Sequence, residues 1–260
     1  MCGISGYFGK TKINLNKKDI INSLKHRGPD NQSIFEKYDK NNIFLAFSRL
    51  SIIDLNTRSD QPFIYKNLII CFNGEIYNFK EIRASLKKKG INFSTTSDTE
   101  VLIKFIYYEG IENIHRLEGM WAFVLYDRSK DKLILCKDRF GEKPLFFIKK
   151  SKNIYFASEI SQIKKLVPFN LNLNQDYLKT YLFTNYRNLN KSNNTIYKNL
   201  HKVEKGYYIE INKSLNIVKK KYFKFKKKIK IQSYKNIKNN IKKILISNSI
   251  KELNSDVPVA

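Results

Sequence analysis

The second residue of the chain is a cysteine, and its position constrains the fold and the chemistry more than any other feature. Removal of Met1 would leave Cys2 with a thiol and a free α-amine on the same carbon. An α-amine titrates near pH ~8, so part of it is a free base at neutral pH, and it can replace the histidine that usually activates a thiol. The glycines and apolar residues that follow up to Gly9 favour a buried strand with little bulk around the thiol. A cysteine that stands there by chance is the alternative, and this stretch alone does not decide.

The composition indicates a folded domain with a large excess of positive charge. The 260 residues are 42% hydrophobic, with 18 Phe and 16 Tyr, which is enough for a sizeable core. The net charge of +26 is of the kind that can accompany binding to nucleic acid or to an anionic membrane. Lys, Asn and Ile are abundant together, most of all after residue 170, so a general compositional bias explains the charge better. No aromatic–basic motif of the common RNA-binding modules is present, and we expect neither nucleic acid nor a membrane as a partner.

The cysteines and histidines do not form a metal-binding or disulfide pattern. No pair among them has the spacing of metal ligands, so we expect no metal site. An odd number of dispersed cysteines argues against a disulfide framework and for a reducing compartment. The chain opens without a signal peptide, and no apolar run is long enough to cross a bilayer. The expected location is the cytoplasm. The residues concerned are Cys2, Cys71, Cys136, His26, His115 and His201.

Hydrophobic periodicity predicts strands with helices interspersed over the first 170 residues. Helical spacing is found at 17–25, 79–90, from Asp98 onward and at 159–166. Short apolar runs predict strands at 43–47, 50–53, 68–73, 120–126, 132–137, 145–148 and 154–157, and 195–211 can carry more. The strand at 68–73 is predicted to end at Asn73 and Gly74, a common turn pair. Without regular βαβ alternation, the pattern predicts a layered α+β fold.

The chain changes character after residue 213. Residues 219–230 contain eight lysines, which predicts a solvated, mobile basic linker at 214–230. Apolar residues from Tyr234 to Leu253 then recur at helical spacing and predict an amphipathic helix. The chain stops within an apolar stretch at 257–259. We therefore expect one domain at 2–213, the linker, and the truncated start of another domain at 231–260.

Several separated motifs together resemble the glutamine-hydrolysing asparagine synthetases. They are Met-Cys-Gly-Ile at 1–4, Arg-Leu-Ser-Ile-Ile-Asp at 49–54, Asn-Gly-Glu-Ile-Tyr-Asn at 73–78 and Ser-Asp-Thr-Glu at 97–100, with the stretches 26–30, 139–145 and 156–159. Their order and spacing match throughout residues 1–166, and the similarity is thinner at 195–211 and 255–259. The N-terminal half of this family is a class-II glutamine amidotransferase. The resemblance thus implies the four-layer αββα sandwich of the N-terminal-nucleophile hydrolases.

The resemblance also implies a role for individual residues. Cys2 is the implied nucleophile, while the Asn73 side chain and the Gly74 backbone N–H are the implied oxyanion hole. Arg49 is the implied partner of the glutamine carboxylate, to which a guanidinium can offer a bidentate fork, and Asp98 is the implied partner of the ammonium. The rest of the implied pocket consists of Leu50, Ser51, Ile52, Ile53 and Glu75. The ordinary alternatives are a surface cation for Arg49, a helix cap for Asp98 and a hairpin turn for the Asn73–Gly74 pair.

The implied reaction is acyl transfer from glutamine to the Cys2 thiolate. Ammonia leaves, and water hydrolyses the glutamyl thioester, with no metal or cofactor in this half. In the family an ATP-binding loop, Ser-Gly-Gly-x-Asp-Ser, follows a stretch like 255–259, and this chain ends before it. ATP and Mg²⁺ are therefore expected only in the missing synthetase domain, which would use the ammonia to convert aspartate to asparagine. A homodimer is an allowed assembly.

Three functions compete at this stage. The first is the glutaminase half of an asparagine synthetase, or of a ligase that amidates another acid such as a surface sugar. The second is a stand-alone or regulatory module that hydrolyses or only binds glutamine, and the third is a basic nucleic-acid binder. The implied site residues are all intact, which favours the first function. The chain departs from the family at Phe47–Ser48 and at 203–206, and neither departure touches the nucleophile.

Removal of Met1 should be a condition of activity, because the proposed base is the α-amine of Cys2. Intact-mass measurement of an active preparation should show a chain lighter by one methionine. A preparation that keeps Met1 quantitatively and is still active would contradict the N-terminal-nucleophile hypothesis.

Overall fold

Two antiparallel sheets of six strands each pack face to face, and helices cover their outer faces. The structure is a computed structural model, and it describes residues 1–184, 193–225 and 233–258. One sheet carries the N-terminal strand, and the other carries the motif at 73–78. This arrangement confirms the four-layer α+β sandwich predicted from the sequence.

The first sheet is built around the N-terminal strand, which is paired on both sides. Its strands are, in chain order, β1 (Gly3–Gly9), β2 (Asn31–Lys37), β3 (Asn42–Arg49), β8 (Phe146–Lys150), β9 (Asn153–Ala157) and β10 (Leu200–Lys202). Their order across the sheet is β10-β8-β9-β1-β3-β2. A Cβ at Gly6 would lie 2.2 Å from the carbonyl oxygen of Phe44 and 2.8 Å from the ring of Phe156. Only glycine therefore allows the neighbouring residues on both sides to approach β1 so closely.

The second sheet contains the longest strands and one extended hairpin. Its strands are β4 (Phe63–Tyr65), β5 (Leu68–Ile76), β6 (Gly119–Asp127), β7 (Lys132–Lys137), β11 (Tyr207–Ile211) and β12 (Ile217–Lys221). Their order is β12-β11-β7-β6-β5-β4. The short strand β4 pairs only with residues 68–70 of β5, so the rest of that edge of β5 has no neighbouring strand. This open edge contributes to the candidate site.

Three apolar clusters fill the spaces between the layers. The first lies between the sheets and includes Phe8 and Val124. The second packs the first sheet against α1 (Lys17–Leu24) and α4 (Ile160–Leu166), and the third packs the second sheet against α2 (Phe79–Lys88) and α3 (Asp98–Glu109). Cys71 and Cys136 are fully buried in these clusters. Helix α5 (Gln175–Phe183) has no buried residue.

Two local predictions were wrong and one alternative role is not observed, in each case because side chains or close packing overrode the sequence pattern. Residues 50–53 do not form a strand, since their backbone groups bond to side chains such as those of Cys2 and Asp30. Asn73 and Gly74 are not a turn but lie within β5, where Gly74 pairs with Trp121. Helix α3 is capped by Ser97, whose hydroxyl accepts the N–H of Thr99, and not by Asp98.

The C-terminal segment differs in part from the prediction of a linker followed by a helix. Residues 217–221, expected within the linker, form β12 and pair with β11, while 226–230 lie outside the described residues. Helix α6 (Tyr234–Glu252) has no buried residue. The end of this helix and the residues after it contact the sandwich: Lys251 Nζ lies 2.8 Å from a Glu118 carboxylate oxygen, and the Asp256 N–H donates to Ile52 O at 2.9 Å. No helix among the described residues is long and apolar enough to cross a membrane.

A buried carboxylate after β7 fixes the turn that follows. Asp138 has no exposed surface, and its Oδ1 accepts backbone N–H groups from residues 140, 141 and 142. Its Oδ2 accepts the N–H of Lys143 at 3.1 Å and that of Trp121 at 3.2 Å. One side chain thus ties the turn at 138–143 to strand β6.

Asp138→Ala should destabilise the fold strongly, because it leaves several buried N–H groups without an acceptor. Each such group costs about 1–3 kcal/mol, so we expect a loss of at least about 3 kcal/mol in the free energy of unfolding, measured by urea denaturation. Asp39→Ala, on an exposed turn, should leave the urea midpoint nearly unchanged. Equal stability of the two variants would show that the Asp138 bonds do not hold the turn.

Candidate active site

A cavity of about 160 Å³ lies where the start of β1 meets the open edge of β5. It collects the site residues predicted from the sequence with one exception. Ser51 does not line it, because its N–H donates to Asp30 Oδ2 at 2.7 Å on the other side of the loop. The lining residues are Met1, Cys2, Arg49, Leu50, Ile52, Ile53, Ser59, Gln61, Phe72, Asn73, Gly74, Glu75, Ser97, Asp98, Thr99 and Lys143.

The Cys2 thiol lies at the cavity wall, directly before β1. Its Sγ accepts the N–H of Leu50 at 3.4 Å and lies 3.6 Å from the Leu50 carbonyl oxygen. The start of β1 is fixed by Ser158, which exchanges hydrogen bonds with the backbone of Ile4 at 3.0 and 2.8 Å. Burial raises the pKa of the Cys2 thiol. The resting thiol is therefore neutral at pH 7 and needs a base before it can attack.

Met1, which carries the free N-terminal amine in this structure, lines the same cavity as the Cys2 thiol. Burial lowers the pKa of the Met1 amine, and the cationic side chains of Arg27 and Lys143 lower it further. Arg27 is held in place by a hydrogen bond from its Nε to Cys2 O at 3.0 Å and by an ion pair with Glu159 at 2.7 Å. An amine in this position is more readily neutral, and hence basic, than one in water.

The open edge of β5 presents a backbone N–H to the cavity. Alternate residues of a strand point their N–H groups to the same edge, so Phe72, Gly74 and Ile76 share the edge away from β6. The Phe72 N–H donates to Gln61 Oε1 at 2.6 Å, and the Ile76 N–H donates to Asp98 Oδ2 at 3.0 Å. Between them, the Gly74 N–H has no acceptor among the described residues. It is a donor available to a ligand.

A second unpaired donor stands beside it. The Nδ2 atom of Asn73 is buried and makes no hydrogen bond within the described residues. Such an orphaned amide is costly unless a ligand or water satisfies it. Gly74 must be glycine, because a Cβ there would lie 2.1 Å from Met120 O. Asn73 and Gly74 together have the donor set of an oxyanion hole.

Arg49 lines the cavity, but most of its donors serve the loop at 53–60. Its Nη1 donates to Asp60 Oδ1 at 2.7 Å and to Asn56 O at 3.0 Å, and its Nη2 donates to the carbonyl oxygens of residues 53 and 54. The guanidinium fork that the sequence suggested for a carboxylate is therefore directed at the protein itself. What Arg49 offers the cavity is its positive charge.

Asp98 contributes a buried carboxyl group to the cavity. Burial raises the pKa of its carboxyl to about 7, and the neighbouring Glu75 contributes in the same direction. A ligand ammonium in the cavity would favour the ionised form and lower this pKa again. The cavity thus contains a cation, Arg49, and a carboxyl group that a bound cation would ionise, which suits a zwitterionic ligand.

Sequence reasoning missed several residues of this cavity. Gln61 and Ser97 were not singled out, although the first fixes the edge of β5 and the second caps α3. Lys143 stood in a quoted motif at 139–145 but received no role. No spacing rule links these positions to Cys2, because the contacts arise only when the two sheets pack.

A larger cavity of about 1080 Å³ adjoins the first and shares Leu50, Ile52 and Glu75 with it. Its other walls include Tyr77, Glu142 and residues 248–258 of the C-terminal segment. Within the described residues, no cluster of His, Cys, Asp and Glu could hold a metal ion.

Comparisons with known proteins agree with this geometry. The sequence profile described as "Glutamine amidotransferase domain" matches residues 1–223. Asparagine synthetase [glutamine-hydrolyzing] 2 of Bacillus subtilis is 31% identical over 226 residues, which cover 83% of this chain and 30% of that protein. Asparagine synthetase B of Escherichia coli is 38% identical over 175 residues, 65% of this chain and 30% of that protein.

One further relative and one solved structure are also similar to this chain. A putative asparagine synthetase 2 of Methanocaldococcus jannaschii is 31% identical over 286 residues, 100% of this chain and 53% of its own length. The chain therefore spans about a third to half of these relatives. Among solved structures, the glutamine phosphoribosylpyrophosphate amidotransferase of B. subtilis has a TM-score of 0.59 at 19% identity, over 85% of this chain and 49% of that one. That similarity supports the fold.

Asp98→Asn should make the stability of the protein less sensitive to pH. The folded-state pKa of Asp98, about 7, lies above the ordinary value near ~3.9, so ionisation of this side chain destabilises the folded state as pH rises towards 7 and above. The variant should be more stable than the parent at pH 8 by up to a few kcal/mol, and the difference should vanish near pH 4, as measured by urea unfolding. Ser97→Ala, which removes the adjacent cap without removing a titrating group, should lower stability similarly at both pH values. A constant difference for Asp98→Asn would contradict the raised pKa.

Proposed function

The chain belongs to the glutamine amidotransferase domain family, and on that premise we propose that it hydrolyses L-glutamine to glutamate and ammonia through a thioester on Cys2. The observation that carries the proposal is the pairing of the Cys2 thiol with two unpaired donors, Asn73 Nδ2 and the Gly74 N–H, in one cavity. A thiol and such donors in one cavity provide the nucleophile and the oxyanion hole that acyl transfer requires.

Glutamine binding would use the two charged groups, Arg49 and Asp98. The substrate carboxylate would lie on the Arg49 side and the ammonium beside Asp98, with Glu75 near the ammonium. The apolar side chains of Leu50, Ile52 and Ile53 would line the methylene groups of the substrate. This orientation points the amide group towards Cys2.

The chemical steps follow from the positions of the donors and the base. The α-amine of mature Cys2 takes the thiol proton, and Sγ attacks the amide carbon. The resulting oxyanion accepts hydrogen bonds from Asn73 Nδ2 and the Gly74 N–H. One such donor can lower the barrier by about 3–4 kcal/mol. The protonated amine then gives its proton to the leaving nitrogen, and the C–N bond breaks to release ammonia and leave the thioester.

Hydrolysis of the thioester would use the same groups a second time. The amine, now neutral again, takes a proton from water as the water oxygen attacks the carbonyl carbon. The same two donors stabilise the second oxyanion. The C–S bond then breaks, and the proton returns to sulfur as glutamate leaves. No step requires a group outside the cavity.

We propose that the ammonia serves an ATP-dependent amidation in a longer protein. The support is that the relatives are named as glutamine-hydrolysing asparagine synthetases and are two to three times longer than this chain. Aspartate would be the acceptor and asparagine the product, with ATP and Mg²⁺ bound by the synthetase domain. The larger cavity, which shares three residues with the glutamine site, offers the ammonia a way out. The alternative is an acceptor other than aspartate, such as a surface sugar acid.

Cys2→Ala should abolish glutamine hydrolysis while leaving the fold intact, since the side chain is only partly buried and is replaced by a smaller one. Ammonia and glutamate release from purified protein would be measured together with thermal unfolding. Cys71→Ala and Cys136→Ala are matched controls, which should keep hydrolysis and lose only stability through core cavities of a few kcal/mol at most. Comparable loss of turnover in a well-folded Cys71→Ala protein would overturn the assignment of the nucleophile.

A further inference from the structure

A lysine that forms no ion pair among the described residues lines this cavity, although the carboxyl groups of Glu75 and Glu142 are close enough to interact with its charge. Lys143 is only 9% exposed and borders the same cavity as Met1, Cys2 and Glu75. Its Nζ makes no ion pair or hydrogen bond within the described residues, whereas the Nζ of the buried Lys104 bonds to Glu100 at 2.7 Å. Burying an ammonium without a partner is costly, so its position calls for an explanation other than stability.

The backbone at Lys143 is held in a fixed relation to the oxyanion donors. The Asp138 carboxylate accepts the N–H of Lys143 and also that of Trp121, the residue that pairs with Gly74 across the β5–β6 ladder. Two residues further, the Leu145 carbonyl oxygen accepts the N–H of Val203 at 2.9 Å. The turn at 138–143 is therefore fixed to the strand opposite Gly74, which places the base of the Lys143 side chain with little freedom.

Most other charged groups near the N-terminal amine have an ion-pair or hydrogen-bond partner. The cation Arg27 is paired with Glu159 at 2.7 Å, and the anion Asp30 accepts the Ser51 N–H at 2.7 Å. On the cavity side, Arg49 is paired with Asp60 at 2.7 Å.

The two remaining carboxyl groups near the amine, those of Glu75 and Asp98, have raised pKa values. Burial raises the pKa of Glu75 and of Asp98, the latter to about 7, while the positive charge of Lys143 acts against this shift at Glu75. Lys143 is thus the one cation among these groups that faces the amine without an anion bound to it in the described residues.

We propose that Lys143 is a positioning residue whose ammonium charge keeps the catalytic N-terminal amine in its neutral, basic form. The proposal rests on the proposed function, since it assumes that this amine is the base. Two like charges close together in a poorly solvated cavity repel each other, so the titratable amine releases its proton while the lysine keeps its own. Lysine supplies this charge from a flexible side chain without blocking the thiol.

The test compares the pH dependence of kcat/KM for the parent, Lys143→Met, Lys143→Arg and Lys88→Met. The ratio of variant to parent is plotted from pH 6 to 9, so that ionisation of the substrate cancels. Lys143→Met should lower the ratio at acidic pH by at least about threefold, a shift of about half a pH unit in the ascending limb, and the ratio should recover towards pH 9. Lys143→Arg, which keeps the charge, should stay close to the parent. Lys88→Met removes the same charge from an exposed position at the end of α2 and should change nothing.

A second readout does not depend on activity. Selective ¹⁵N labelling of cysteine allows the amine of mature Cys2 to be titrated by ¹⁵N-detected NMR, and its pKa should rise by a similar amount in Lys143→Met. If the parent fails to hydrolyse glutamine, the proposed function is wrong, but this titration still tests the charge effect. If Lys143→Met is unstable by thermal unfolding, Lys143→Gln is used in both measurements.

Two outcomes would overturn the proposal. One is an unchanged amine titration and an unchanged ascending limb in Lys143→Met or Lys143→Gln. The other is a rise in KM that is the same at every pH, which would mean that Lys143 binds the glutamine carboxylate and does not act on the amine.

Discussion

The site depends on an edge of β5 that β4 leaves uncovered. A strand edge exposes every second N–H, and the protein satisfies two of the three in question with side chains, using Gln61 for Phe72 and Asp98 for Ile76. The N–H between them, that of Gly74, is left for a ligand. Because its neighbours on both sides are bonded, the strand cannot twist to pair this group with the protein. The donor is therefore fixed before any substrate arrives, which is what stabilisation of a developing oxyanion requires.

Close packing around β1, in the first sheet, positions the nucleophile beside that edge. The glycines of β1 allow the neighbouring residues on both sides to approach it so closely that no side chain fits between, and Ser158 fixes its first residues by paired hydrogen bonds. Cys2 is thus carried on the end of a rigid central strand and not on a loop. The loop at 50–60 closes the cavity from the side, and Asp54 secures it: despite burial, hydrogen bonds from Thr96 and Asn56 lower the pKa of Asp54 to about 2.

Electrostatics in the cavity is set locally and not by the net charge of +26. Most of the excess lysines lie on the surface, where water screens them. Inside the cavity, the charged groups differ in how they are paired. Arg49 is bonded to its own loop, and Asp98 has a raised pKa in the absence of a cation. Lys143 is buried near the amine without an ion pair among the described residues. Such poised, incompletely compensated charges are typical of catalytic sites and cost stability elsewhere in the fold.

The sequence by itself predicted the layered fold, most of its elements and membership of the glutamine amidotransferase family. A cysteine behind the initiator methionine, alternating and helical apolar patterns, and motifs in a fixed order were sufficient to predict the layered α+β fold and nine of the sixteen residues that line the cavity. The tertiary structure alone decided which backbone groups stay unpaired. It placed Asn73 and Gly74 within a strand and not in a turn, turned Ser51 away from the cavity, and brought Lys143 and Gln61 into it. The physical reason is that local patterns report which residues are buried, whereas hydrogen-bond partners and charge neighbours are set by contacts between residues that lie far apart in the chain.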